Sequence, residues 1–194
     1  LPETLYSLRW AITVLPAPPL LLAHWDFNDL DSQDDILDKK STNHGVYNPG
    51  TEGWRHGTVL GASQIAGPSG MGQGFSFDGV ADSVNIGDIT TIDGLSAVSF
   101  GGWVNPVNYG EGTTIFNVAS VIGKGRYGGP GTNTIGAFFQ GDEAGSNVFT
   151  VFVDTGNLGL THVPAPANLP VGTWTHFMAT WSAGGTVKLY INGS

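Results

Sequence analysis

The chain has 194 residues, enough for one substantial hydrophobic core, and no cysteine, which removes disulfide scaffolds, thiol nucleophiles and cysteine-based zinc or iron–sulfur sites. Sixteen acidic against seven basic residues give a formal net charge of −9, a balance that nucleic-acid phosphates and anionic lipid repel. Thirty glycines and eleven prolines among only 12% charged residues point to short strands and turns, while 40% hydrophobic residues are enough for a packed interior.

Residues 5–14 alternate, with Tyr6, Leu8, Trp10, Ile12 and Val14 on one side and Leu5, Ser7, Arg9, Ala11 and Thr13 on the other. A period of two predicts a half-buried strand, which Pro16, Pro18 and Pro19 end. Leu21–Asn28 reads as a second strand, with Trp25 and Phe27 on one face. An acidic loop follows, in which Asp26, Asp29, Asp31, Asp34, Asp35 and Asp38 are half of the twelve aspartates; a helical turn is expected near Asp34–Lys39. Residues 43–74 form a weakly patterned traverse anchored by Val46, Tyr47, Trp54, Val59, Leu60 and Ile65.

Two short strands come next, Gly74–Asp78 with Phe75 and Phe77 on its core face, and Asp82–Gly87; Asp78-Gly79 turns the chain between them. Further strands are expected over Ser96–Asn105, Ile115–Ile122, Ile135–Gln140 and Val148–Asp154. Thr173–Trp181 and Thr186–Asn192 read as a hairpin around Ala183-Gly184-Gly185. Several strands are apolar on both faces, which suits a sandwich with one outer face covered as well.

Four segments in order, Ala23–Asn28, Phe75–Ile86, Phe100–Pro106 and Gly172–Phe177 running on to Leu189–Gly193, resemble the laminin-G-like, concanavalin-A-like jelly rolls of bacterial surface and secreted proteins. The resemblance implies an all-β, two-sheet antiparallel sandwich over residues 21–194. Residues 1–20 then form an N-terminal strand extension and a Pro-rich linker. Members usually continue past the Tyr-x-Asn-Gly turn into further strands, whereas Ser194 follows it directly here. The sandwich is therefore expected to lack its usual C-terminal strands, the chain being a piece of a larger product. Residues 5–14 are the candidate to fill the vacant lane, in their own chain or in a neighbour by strand addition, since an open edge invites pairing. The alternative is a remainder supplied by another chain.

Sandwich glycosidases need two carboxylates about 5–10 Å apart, and related hydrolases carry them as Glu-x-Asp-x-Glu on one strand. Glu3, Glu52, Glu111 and Glu143 stand isolated, and the Asp78/Asp82 pair fits a turn better than a catalytic dyad. His24, His44, His56, His162 and His176 have no metal-ligand spacing, and His176 reads as a packed core imidazole. No enzyme is expected.

Calcium takes six to eight oxygens at 2.3–2.6 Å. The acidic loop offers Asp26, Asp29, Asp38 and Asn43, and Asp38–Gly45 is similar to the family's Asp-x-x-x-x-Asn-x-Gly calcium loop. Sugar rings stack on aromatic faces with polar groups for their hydroxyls. Trp25, Trp103, Trp174 and Trp181 lie on expected strands and read as core, which leaves the loop residues Trp54, Tyr109, Arg126, Tyr127, Asn133 and Asp142 as the ligand-binding set. The expected function is a non-catalytic recognition or adhesion module, secreted or displayed on a cell surface. It would bind glycan or a cell-surface protein, with calcium as a candidate cofactor. A surface filament or sheath built by self-association through residues 5–14 is the alternative, and a glycoside hydrolase a remote one. Neither nucleic acid nor membrane insertion is expected.

Overall fold

Alternating or wholly apolar runs, each cut off by glycine, proline or an Asx turn, favour strands over helices along this chain. In the computed structural model they form β1 (Thr13–Val14), β2 (Leu20–Leu21), β3 (Trp25–Leu30), β4 (Ile36–Asp38), β5 (Thr58–Leu60), β6 (Ser63–Ala66) and β7 (Gln73–Ser76). Then come β8 (Ser83–Asn85), β9 (Ala97–Val104), β10 (Val118–Lys124), β11 (Thr134–Gln140), β12 (Val148–Asp154), β13 (Leu160–Pro164), β14 (Thr175–Ser182) and β15 (Lys188–Ile191). The structure describes residues 13–14, 20–21, 25–30, 36–38, 58–78, 81–86, 92–107, 118–124, 134–140, 148–154 and 160–194, and no α-helix occurs among them.

Two antiparallel sheets form a concanavalin-A-like β-sandwich. One has the order β15-β14-β9-β1-β2 and the other β10-β11-β12-β13, while β3–β4, β5–β8 and β6–β7 are two-stranded ribbons. The alternation within each strand decides what lies between the sheets. Phe100, Phe177 and Ala179 of the first sheet meet Ala137, Phe139, Phe149 and Val151 of the second in one continuous core. Phe149 joins the two layers, its ring centroid 4.9 Å from Phe177 across the gap and 5.2 Å from Phe139 on its own sheet, both near edge-to-face.

The core extends under the β3–β4 ribbon through Trp25, Phe27 and Phe75. Phe27 sits at φ 58° where the β3–β4 register shifts, a left-handed backbone that a bulky residue adopts only when its neighbours hold it. They do: its ring meets Phe75 edge-on at 5.4 Å, and its carbonyl accepts a 2.7 Å bond from Gln64 Nε2. Next to it, Asn28 Oδ1 accepts from the Gln73 N–H at 2.8 Å, tying β3 to β7.

The expected strands over 96–105, 135–140, 148–154 and the final hairpin are present. Phe138 and Phe152 alternate out of the inter-sheet core, and yet they are buried with their rings 5.6 Å apart, so the outer face of the second sheet is covered. Other expectations are corrected. Ile36–Asp38 is a strand paired to β3, so a β-hairpin replaces the helical turn and part of the acidic loop. The 43–74 traverse contains β5 and β6, and β13 has no counterpart in the sequence reading. Leu60 and Ile65, expected as anchors, are exposed, whereas Val59 packs against the core.

Phe77, expected beside Phe75 in the core, is 49% exposed. The reason is local. β7 ends at Ser76, and an Asx turn takes over: the Asp78 N–H donates to Asp82 Oδ2 (2.8 Å), while Asp78 Oδ1 accepts from the N–H groups of Ala81 (3.1 Å) and Asp82 (3.3 Å). That turn joins strands of different ribbons, because β7 pairs with β6 and β8 with β5. Val46, Tyr47, Trp54 and residues 5–12 lie outside the described residues.

Candidate functional site

Strand β14 is central, paired along its whole length with β9 and on its other edge with β15. Directly paired residues in antiparallel strands share a face. Phe177 and Ala179 face the core, so His176, Met178 and Thr180 stand on the outer face, with Trp103, Gly101 and Ser99 of β9 opposite them. Tyr190 and Lys188 of β15 complete the rows beside Met178 and Thr180.

The centre of this face is the pair Trp103–His176, with ring centroids 5.2 Å apart and planes at 62°. Both rings are half-buried, and Tyr190 is 37% exposed. Beside them Gly101 leaves β9 flat: a Cβ there would clash with the Phe177 carbonyl oxygen and lie 3.0 Å from Met178 Cα, so glycine lets β9 and β14 pair this closely. Burial holds the His176 imidazole below the usual histidine value, so it is neutral at pH 7. Its backbone is fixed from both sides: its N–H donates to Asn192 Oδ1 (3.0 Å) and its carbonyl accepts from the Asn192 N–H (2.9 Å). Asn192 and Gly193 both have positive φ, 51° and 86°, in a two-residue turn closed by mutual Ile191–Ser194 backbone bonds of 2.9 and 3.2 Å, which is the type I′ chemistry of Asn-Gly.

No strand of this five-stranded sheet contains an aspartate or glutamate. The four strands of the opposite sheet contain one, the buried Asp154. Among the described residues, the strands of the two sheets thus supply no carboxylate pair.

A family model described as the concanavalin A-like lectin/glucanases superfamily matches residues 78–194, more than half of the chain. The chain belongs to this superfamily. No curated protein and no solved structure matches it. The matched region holds β9–β15 and so both sheets of the sandwich apart from β1 and β2, including the whole Trp103–His176 face.

Within this lectin/glucanase sandwich the sequence-derived sites fall as follows. Trp54, Tyr109, Arg126, Tyr127, Asn133 and Asp142 lie outside the described residues, as does Asn43. Asp26 and Asp29 are on β3 and Asp38 on β4. The register sets Asp38 directly opposite Trp25, with Asp26 the next residue along β3 and Asp29 three residues further. Directly paired residues share a face, so Asp38 falls on the face of Trp25 and not on that of its neighbour Asp26, and the register does not pair these two calcium candidates. Of the tryptophans read as core, Trp25 is buried, but Trp103, Trp174 and Trp181 are only partly so, at the core's margin. Reading Trp103 and His176 as plain packing missed the outer face. Both stand opposite the core side of their strands, and only the β9–β14 register shows that they meet.

Proposed function

We propose that this concanavalin A-like domain is a non-catalytic extracellular recognition module that takes a glycan on the outer face of its five-stranded sheet. The observation that supports it is an aromatic and imidazole face, Trp103, His176 and Tyr190, on a sheet whose described strands carry no carboxylate. Flat rings offer the apolar faces of pyranoses a stacking surface, and the imidazole and phenol offer hydrogen bonds to hydroxyls. Glycosidic cleavage in most families uses a pair of carboxylates flanking the scissile bond, and the described strands of this face carry none. The loop residues Trp54, Tyr109, Arg126, Tyr127, Asn133 and Asp142 are proposed as a second contact set. Calcium, with Asp26, Asp29, Asp38 and Asn43 as its candidate ligands, would neutralise the acidic segment.

A glycan array probed with the full chain tests this reading. Binding that Trp103→Ala abolishes and Tyr127→Ala spares places the ligand on the sheet; the reverse places it on the loops. Release of reducing ends from a captured glycan would overturn the non-catalytic reading.

A further inference from the structure

We infer that the edge of β9 beyond Ser99 is a docking lane for residues 6–12 of the same chain, entered in one register only. The described part of that register is a single antiparallel pair, Thr13 with Ser99, and it already places β1 between β9 and β2. In an antiparallel pair each step back along one strand is a step forward along the other. Ile12 then falls opposite Phe100, Trp10 opposite Gly102, and Leu8 opposite Val104, with Val14 opposite Val98.

Val98 and Phe100 belong to the buried core, and Val104 packs against it. The register therefore lays the whole apolar side of the alternating segment over the core side of β9. Its other side, Ser7, Arg9, Ala11 and Thr13, falls on the outer face. The alternation is a property of the sequence and the pair is a property of the fold, and a slip of one residue would set them against each other. Gly102 adds a steric match, since a position without a side chain lies opposite the largest ring of the segment. Asn105 lies opposite Ser7 in the same register, and its Oδ1 is buried without a hydrogen-bond partner among the described residues. The partner of this edge is thus an alternating strand, and the chain's own residues are committed to it because Thr13 and Val14 already lie in the lane.

Engineered cysteines in the full, naturally cysteine-free chain test the register. Residues directly opposite in a sheet lie within disulfide reach. Under mild oxidation Arg9→Cys/Trp103→Cys and Ser7→Cys/Asn105→Cys are expected to give an oxidised monomer, as is the observed pair Thr13→Cys/Ser99→Cys. Leu8→Cys/Trp103→Cys, displaced by one residue and on the other face, is expected to stay reduced. The Ser7/Asn105 variant replaces two polar residues at the strand's end and keeps the test open if losing Trp103 unfolds the chain. Absence of the 9–103 and 7–105 cross-links overturns the inference, and so does their formation as covalent dimers, which would assign the lane to a second copy.

Discussion

Replacing Phe177 with alanine removes the ring that joins the two sheets. Phe177 is fully buried, faces Phe149 at 4.9 Å, and lies on a strand held by β9 on one edge and β15 on the other. Because both edges of β14 are hydrogen-bonded, its backbone cannot sink into the space the ring leaves, and the cavity persists. Phe→Ala changes of this kind cost about 3–5 kcal/mol, a large share of the roughly 5–15 kcal/mol that stabilises a typical domain. With a urea m-value of about 2 kcal/mol/M, the unfolding midpoint falls by roughly 2 M. A double-mutant cycle with Phe149→Ala should return a favourable coupling of about 0.5–1.5 kcal/mol for the ring pair. A loss below about 1 kcal/mol for Phe177→Ala, with unchanged m, would mean that the sheets do not close on this residue and that the sandwich core lies elsewhere.

The Phe75 and Phe77 rings separate the two readings of the Phe-x-Phe-Asp-Gly segment: Phe75→Ala is expected to cost about 3 kcal/mol or more, and Phe77→Ala within about 0.5 kcal/mol, by urea denaturation. Equal losses would return Phe77 to the core. Burial lowers the folded-state pKa of His176 below its unfolded value of about 6.5, so the unfolded chain takes up the proton first as pH falls. The stability that neutral His176 contributes is present above about pH 6.5 and declines below it. Urea midpoints from pH 7.5 to 5 should show that slope, and His176→Gln should flatten it; an unchanged slope in the variant would refute the assignment. Calcium should raise the melting temperature of the full chain and a chelator reverse the rise, with Asp38→Asn abolishing the response; a melting temperature indifferent to calcium removes the metal proposal.

Much of the sandwich was legible because strand alternation and turn chemistry are local. Thr173–Asn192 reads as a hairpin from its own residues, and Ile135–Gln140 and Val148–Asp154 from their unbroken apolar runs. What failed depended on partners distant in sequence. Ile36–Asp38 is too short to announce itself and becomes a strand by pairing with β3, and Phe77 leaves the core because an Asx turn four residues long ends its strand. The candidate site failed for the same reason. Trp103 and His176 are 73 positions apart, each read from the sequence as packing, and their contact exists only through the β9–β14 register. The loop residues were singled out on the assumption that strand aromatics are interior, which holds fully for Trp25 and only in part for Trp103, half-buried against the core.

The proposed glycan face is tested most directly by a binding isotherm for an array-identified glycan, measured on the wild-type chain and on Trp103→Ala with folding checked by urea denaturation. Loss of a central aromatic contact predicts affinity at least about tenfold weaker, equivalent to about 1.4 kcal/mol. An unchanged isotherm in a folded Trp103→Ala chain would contradict the account and take recognition away from this sheet.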